Sequence, residues 1–334
     1  MSGNINLDFS LLKKLTQAYG PSGNEKEIAG LIMGYSKNHV DNVETDILGN
    51  LIIRKKGRGK RIMIAAHMDE VGVIVTHIDN NGYLYFSAVG GLNEAGLLAR
   101  RVMFSNRCYG VIGRERKESE EEKSKGKYFI DIGVNSEEEA RKMVREGDMA
   151  ILTGEFVENG SHIISKAIDN RLGCFIALEV LKNYQGEDDV FFVFTVQEEV
   201  GARGAKTAAF AIEPDLALII DTTISYDTPK EKYRTSLNNG VAIKVMDRSI
   251  IVSPVIKNWM IDIAVKNNIV FQSEIISAGG TDSGPVHLTK GGVPTGGIAV
   301  PVRYLHSGSE ITTKLDIESA YRLLSELLKN PFAS

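Results

Sequence analysis

The fold is organised around Phe191-Phe-Val-Phe-Thr-Val-Gln-Glu-Glu-Val-Gly201. Residues 191–196 are apolar or β-branched, which predicts a strand buried on both faces of a sheet. The run then ends at two adjacent carboxylates, Glu198 and Glu199. In open α/β sheets, ligands bind beyond the carboxyl ends of the strands. The segment therefore indicates a binding site at one rim of a sheet.

Two other apolar runs end in a similar way. The first is Arg61-Ile-Met-Ile-Ala-Ala-His67, and the second is Leu216-Ala-Leu-Ile-Ile-Asp221. A lone pair of glutamates is most often two solvated acids at the start of a loop. Three buried strands that each end at a metal-type ligand instead predict a site where those ends meet.

The composition is that of an ordinary globular protein, with 334 residues, 43% hydrophobic and 25% charged. A net charge of -4 argues against nucleic acid or an anionic membrane as a partner. Cys108 and Cys174 form no CxxC motif, so neither a thiolate zinc site nor a disulfide framework is expected. Without a secretory signal or an apolar run of about 20 residues, a cytoplasmic protein with no membrane span is the expectation.

The predicted secondary structure changes after Glu70, from helices and strands together to a series of short strands. Before it, helices are predicted at 7–19 and 24–37, and Ser22 with Glu25 has the spacing of a capping box. Strands are predicted at 48–54 and 61–67. After it, Asp79-Asn-Asn-Gly82 joins two strand-like runs as a hairpin. Further short strands are predicted at 101–104, 109–112, 128–132 and 150–152.

Helices and strands alternate again from Ser165 onwards. The mixed-sign charge run at 114–127, inside the β-rich region, predicts a solvated hairpin tip. We therefore expect an α/β fold, with a discontinuous three-layer αβα catalytic domain at 1–70 and 162–334 around a mixed, mostly parallel sheet. Residues 71–161 are expected to form a small β-rich insert.

The candidate ligands stand on both sides of this insert: His67, Asp169, Glu199, Asp221 and His306. Histidines and carboxylates together suit zinc, cobalt or manganese. One metal needs only three protein ligands and a water, so five candidates indicate two metals that share a carboxylate. The other histidines, His39, His77, His162 and His287, lack partners in the pattern and are interpreted as surface or packing residues.

The adjacent acids have separate roles in this interpretation. Successive side chains of an extended segment point in opposite directions, so only one of Glu198 and Glu199 can easily be a ligand. The other is a candidate general base. Asp69, two residues after His67, can orient the imidazole of that ligand.

Six motifs together resemble the metallo-aminopeptidases of peptidase family forty-two, the glutamyl/leucyl aminopeptidases that form tetrahedral dodecamers and are sometimes labelled cellulases. They are His67-Met-Asp-Glu-Val-Gly72, Ala167-Ile-Asp-Asn-Arg171, Gln197-Glu-Glu-Val-Gly201, Asp221, Gly279-Gly-Thr-Asp282 and Val302-Arg-Tyr-Leu-His-Ser307. The match runs in the right order over nearly the entire chain.

The resemblance implies a role for each candidate residue. Asp169 would bridge two divalent metals, zinc or cobalt first and manganese next. His67 and Asp221 would complete one metal site, and Glu199 and His306 the other. Glu198 would be the general base, Asp69 would hold His67, and the Asp169–Asn170 peptide bond would be cis. The insert would be a PDZ-like dimerisation domain of a homo-oligomer whose chamber admits short unfolded peptides.

Several alternatives stay open. Thr281 and Asp282 either lie near the substrate or cap a helix. A related-fold metal-dependent deacylase or carboxypeptidase shares the two-metal chemistry, and a non-catalytic assembly module is the alternative from another class. A glycosidase is disfavoured, because it needs two carboxyls that flank the bond and has no use for His67 and His306.

Overall fold

The computed structural model describes residues 7–37, 40–92, 96–115, 126–231, 235–330 and Phe332. The strands in chain order are β1 Asn42–Thr45, β2 Leu51–Lys55, β3 Arg61–His67, β4 Gly72–Ile78, β5 Leu84–Val89, β6 Arg101–Phe104, β7 Tyr109–Arg114, β8 Tyr128–Asp131, β9 Met149–Leu152, β10 Val157–Asn159, β11 His162–Ser165, β12 Asp189–Thr195, β13 Leu216–Ile224, β14 Val241–Met246, β15 Phe271–Ile275, β16 Thr295–Val302 and β17 Glu310–Thr313. The helices are α1 Phe9–Gln17, α2 Lys26–Ser36, α3 Glu137–Met143, α4 Ile168–Asn183, α5 Arg203–Ile212, α6 Pro254–Lys266, α7 Ser283–His287 and α8 Lys314–Lys329.

An eight-stranded sheet forms the centre of the larger part of the chain. Its strand order is β1-β2-β12-β3-β13-β16-β14-β15. The four central strands β12, β3, β13 and β16 are parallel to one another, whereas β2 and β14 pair antiparallel with their inner neighbours. The sheet is therefore mixed, as expected, and the carboxyl ends of its central strands lie at one rim.

Helices cover both faces of this sheet, which confirms the layered α/β architecture. Ile62 and Ile64 of β3 lie in a core with residues of α1, α2, α4, α6 and α8. Met63 and Ala65 of the same strand lie in a separate core with residues of α5 and α7. The alternation follows from the strand period of two, and it explains why the run is apolar throughout.

The β-rich region forms a closed barrel of β4-β5-β8-β7-β6-β9. It has a hydrophobic core of its own, which includes Val73, Leu84, Phe104 and Ile130. β7 and β8 pair antiparallel up to Arg114 and Tyr128, so the strands on either side of the predicted hairpin tip are adjacent. Most of the charge run, residues 116–125, lies outside the described residues.

Two local predictions were wrong, and one small sheet was missed. Ser22 and Glu25 do not form a capping box, because the Ser22 hydroxyl donates instead to the buried carboxylate of Asp69 at 2.6 Å. β13 does not end at Asp221 but continues to Ile224, since residues 222–224 keep pairing with β16. A small sheet of β10, β11 and β17 was not predicted at all.

No helix in the described part of the chain is both long and apolar enough to cross a membrane.

Candidate metal centre

The five candidate ligands meet at the rim of the sheet where the central strands end. His67 is the last residue of β3, Asp221 lies near the end of β13, and Glu199 follows β12 by four residues. Asp169 stands at the start of α4 and His306 in the loop between β16 and β17. Two groups of potential ligands result, His67 with Asp169 and Asp221, and Asp169 with Glu199 and His306.

Asp169 belongs to both groups, and its two carboxylate oxygens face opposite histidines. Oδ1 lies 3.1 Å from His67 Nε2, and Oδ2 lies 3.4 Å from His306 Nε2. His67 Nε2 is also 3.5 Å from Asp221 Oδ1, and His306 Nε2 is 3.2 Å from Glu199 Oε2. Within each group the potential ligand atoms lie within 4.8 Å of one another. The two groups of potential ligands are therefore adjacent and have the Asp169 carboxylate in common.

The backbone around Asp169 departs from the helix that contains it. Asp169 and Asn170 have non-helical dihedral angles inside the range of α4. The peptide bond between them is cis, which confirms the expectation from the resemblance.

Asp69 organises the segment that carries the two glutamates. Its fully buried carboxylate accepts hydrogen bonds from the backbone N–H groups of Glu198 at 3.0 Å and Glu199 at 3.2 Å. It also accepts from the Ser22 hydroxyl. The Asp69 carboxylate is 3.5 Å from His67 Nδ1, and the carbonyl oxygen of Asp69 is 3.3 Å from the same nitrogen. Asp69 therefore contacts both His67 and the acidic segment.

Glu310 is a second buried carboxylate with this kind of role, and the sequence patterns did not single it out. Its Oε1 accepts from the backbone N–H of His306 at 2.8 Å, and its Oε2 accepts from that of Asp169 at 3.0 Å. The spacing of four residues from His306 matches no recognised motif. Only the fold, which pairs β17 with β11, brings Glu310 to Asp169.

The segment that follows β5 of the barrel also reaches the candidate centre. The carbonyl oxygen of Gly91 is 2.7 Å from His306 Nδ1. Gly90 has a φ of +83°, and a Cβ added there would lie 3.1 Å from the Cβ of Glu199. A side chain at position 90 would therefore both strain the backbone and press on a candidate ligand.

The centre holds more buried negative charge than its two histidines can balance. Burial raises the pKa of Glu199 to about 8, and the charge of Asp169 adds to the rise. Burial likewise raises the pKa of Asp221, and it raises that of Glu198 well above its ordinary value. Although burial opposes it, hydrogen bonding to Asp169 raises the pKa of His306 to about 10. The raised pKa values of the three carboxyl groups are those expected of buried carboxylates without enough positive charge nearby. The raised pKa of His306 is that expected of an imidazole beside a carboxylate.

The donor set fits divalent cations. Glu199 Oε1 is buried and has no hydrogen-bond partner in the described structure. A buried carboxylate oxygen without a hydrogen-bond partner is costly unless a cation balances its charge. Cations at the two ligand groups would satisfy that oxygen and neutralise the excess charge, and the N and O ligands suit zinc, cobalt or manganese.

Glu198 is placed differently from Glu199. It belongs to neither ligand group, and its Oε2 lies 4.0 Å from His67 Nε2. Its side chain lines a cleft of about 1230 Å³ that adjoins His67, Asp169 and His306. The cleft is therefore large enough for a peptide end beside the ligand groups.

Thr281 and Asp282 have separate positions. Thr281 lines the cleft. Asp282 directly precedes α7, but its side chain makes no capping hydrogen bond and instead accepts from the Thr195 hydroxyl at 2.5 Å. Of the remaining histidines, His77 stacks on Tyr85, and His162 and His287 belong to no ligand group among the described residues. His39 lies outside those residues.

The chain is similar to known proteins over nearly its whole length. The family described as M42 glutamyl aminopeptidase matches residues 49–323. A putative aminopeptidase of Acetivibrio thermocellus is 49% identical over 323 residues, which cover 96% of this chain and 98% of the relative.

Two solved structures are similar over almost the whole chain. The TET aminopeptidase of a marine sediment archaeon of the Thaumarchaeota has a TM-score of 0.92 at 35% identity, and 96% of each chain is covered. The Pyrococcus horikoshii TET1 peptidase, which can assemble into a tetrahedron or a large octahedral shell, has a TM-score of 0.85 at 34% identity, with 96% of this chain and 98% of that chain covered. The chain therefore belongs to the M42 glutamyl aminopeptidase family and is a hydrolase of the aminopeptidase class.

Proposed function

We propose that the protein removes N-terminal residues from short peptides with two divalent metal ions. Asp169 would be shared, His67 and Asp221 would hold one ion, and Glu199 and His306 would hold the other. The observation that carries this proposal is the Asp169 carboxylate, whose two oxygens face His67 and His306 at 3.1 and 3.4 Å. Zinc or cobalt is the expected metal, with manganese as the third candidate.

When bound, the two ions would supply an activated water and a Lewis acid for the scissile carbonyl. Glu198 is the residue that we assign as general base, because it faces the cleft beside the ligands without joining either group. Its carboxylate accepts a proton from the attacking water and returns it to the leaving amine. Asp69 keeps Glu198 and Glu199 in register through their backbone N–H groups.

The walls of the cleft favour an apolar N-terminal residue. Phe210, Ile224 and Leu288 line it, with 61%, 45% and 70% of their surface exposed. Large apolar side chains that stay exposed around one cleft are typical of a binding surface. An apolar substrate side chain would cover these three side chains and remove their apolar surface from water.

The assembly is also part of the proposal. Residues 71–161 would be a PDZ-like dimerisation domain, inserted between 1–70 and 162–334. The self-contained core of the barrel supports an independent unit. Dimers would build a tetrahedral dodecamer, as supported by the similarity to the Pyrococcus horikoshii TET1 peptidase. Its chamber would admit only short unfolded peptides, in the cytoplasm.

A metal-dependent deacylase or carboxypeptidase is the alternative that the same ligand groups allow. The discriminating feature is the free group that the substrate must carry. An aminopeptidase requires a free α-amine, a carboxypeptidase requires a free carboxylate, and a deacylase accepts a blocked amine.

The test is hydrolysis of aminoacyl-p-nitroanilides before and after dialysis against a chelator, with zinc, cobalt or manganese added back. N-acetylated versions of the same anilides are the matched control. We expect activity that is lost with the chelator, returns with a metal and is absent on the acetylated anilides. Cleavage of the acetylated anilides would favour a deacylase, and no cleavage with any metal would overturn the proposal.

A further inference from the structure

Glu310 joins the two segments that carry Asp169 and His306. Its side chain is 1% exposed, and each of its two oxygens accepts one backbone N–H, from His306 at 2.8 Å and from Asp169 at 3.0 Å. Both bonds are made to one buried carboxyl group, so neither N–H can be satisfied by water in its place. The buried Glu310 side chain thus connects Asp169, which belongs to both ligand groups, with His306, which belongs to one of them.

The loop that holds His306 depends on such contacts. Tyr304 and His306 both have a φ of 60°, in the left-handed region that non-glycine residues adopt only at an energetic cost. A loop with this backbone keeps its shape only if the surroundings fix it. The imidazole of His306 is fixed at its Nδ1 by the Gly91 carbonyl, and its backbone is fixed by Glu310.

Glu310 itself is held by β11, the strand that precedes Asp169. It is the first residue of β17 and pairs with Ser165 of β11. β11 leads within four residues to Asp169. The position of Glu310 is therefore set by the segment that carries Asp169, and Glu310 transmits that position to His306.

We propose that Glu310 is a positioning residue of the metal centre, which sets the separation of Asp169 from His306 and thereby the affinity for the ion between Asp169, Glu199 and His306. This inference rests on the proposed two-ion site. It concerns a residue that would touch neither ion nor substrate. Replacing residues that orient metal ligands typically weakens metal binding by about 10–100-fold.

The test is metal binding rather than turnover. Metal-free wild-type protein and Glu310→Gln are titrated with Co²⁺ in competition with a chromophoric chelator, and the visible spectrum of bound cobalt is recorded. Glutamine keeps one oxygen but turns an NH₂ group toward the second N–H, so one of the two buried amides loses its acceptor. We expect one of the two Co²⁺ ions to bind at least about tenfold more weakly, with an altered spectrum.

Asp316→Asn is the matched control. Asp316 is also a buried carboxylate that accepts from two backbone N–H groups, those of Asn238 at 2.9 Å and Gly240 at 2.7 Å. Asp316 contacts no candidate ligand. Its variant therefore measures the effect of removing a buried acceptor from two backbone N–H groups away from the candidate metal centre. We expect Asp316→Asn to bind both Co²⁺ ions as the wild type does.

The possible outcomes separate the two proposals. If the wild type binds no metal, the proposed function fails first. If the wild type binds two ions and Glu310→Gln binds them with unchanged affinity and spectrum, the inference is overturned even if activity falls. Equal losses in Glu310→Gln and Asp316→Asn overturn it as well. If Glu310→Gln does not fold, Glu310→Asp replaces it, and failure of both to fold would assign Glu310 to folding alone.

Discussion

Replacing Glu198 by glutamine should separate proton transfer from metal binding. The substitution preserves the shape of the side chain and removes only its ability to take a proton. Because Glu198 belongs to neither ligand group, no ligand is lost. The loss of a general base reduces kcat/KM by about 10²–10⁴-fold. At 1.36 kcal/mol per factor of ten, this corresponds to about 3–5 kcal/mol of transition-state stabilisation.

The same variant should fold at least as well as the wild type. Burial raises the pKa of Glu198 well above its ordinary value, and the charge of Asp221 adds to the rise while His67 opposes it. Its ionised form is therefore unfavourable in the metal-free native state, and a neutral amide removes that cost. We expect the unfolding free energy of the metal-free protein at neutral pH to be unchanged or higher.

The assay pairs Glu198→Gln with Glu199→Gln, the same substitution one residue on. Metal content is measured by mass spectrometry after dialysis, and turnover is measured on the best anilide. Glu198→Gln should keep two ions and lose turnover, whereas Glu199→Gln should lose an ion. Wild-type turnover in Glu198→Gln would refute the general-base assignment, and loss of an ion in that variant would refute the separation of the two glutamates.

Three further outcomes are expected. The buried Lys244 amine lies 2.8 Å from Asp247 and 2.9 Å from Glu274. Lys244→Met leaves these two carboxylates without that cation, so it should lower the unfolding free energy by about 3–5 kcal/mol in guanidinium titrations. A loss near zero would contradict this. Burial raises the pKa of Glu25 from 4.5 to about 7, so the contribution of Glu25 to wild-type stability falls as the pH rises through that window. Glu25→Gln should therefore gain up to about 3 kcal/mol on the wild type between those pH values, and a constant difference would refute the assignment. Leucyl anilide should be cleaved at least about tenfold faster than glutamyl anilide, and equal rates would show that the apolar cleft walls do not select the substrate.

The parts of the centre that lie at strand ends were predictable from the sequence. β3 runs from Arg61 to His67 as predicted, because an unbroken apolar run that ends at a polar residue can hardly be placed otherwise in a layered α/β fold. The roles of the five ligand candidates follow from the motifs and stay proposals, but all five do meet at one rim.

The parts that depend on contacts between distant segments were not predictable. Ser22 has the spacing of a helix cap, yet the buried carboxylate of Asp69 takes its hydroxyl. Glu310 looks like any other acid in a loop until β17 pairs with β11. Local patterns describe what a segment prefers when alone, and a buried charge from elsewhere in the chain can outweigh that preference.

The contact between Gly91 and His306 limits how this enzyme can be recombined. The segment that follows β5 supplies the Gly91 carbonyl oxygen, which lies 2.7 Å from the ring of the candidate metal ligand His306. A hydrogen bond between the two parts of the chain therefore lies at the candidate metal centre itself. An insert transplanted from a relative, or a shortened chain without residues 71–161, would have to recreate that acceptor. We therefore expect chimaeras that lack this acceptor to bind metal poorly even when the barrel and the eight-stranded sheet both fold.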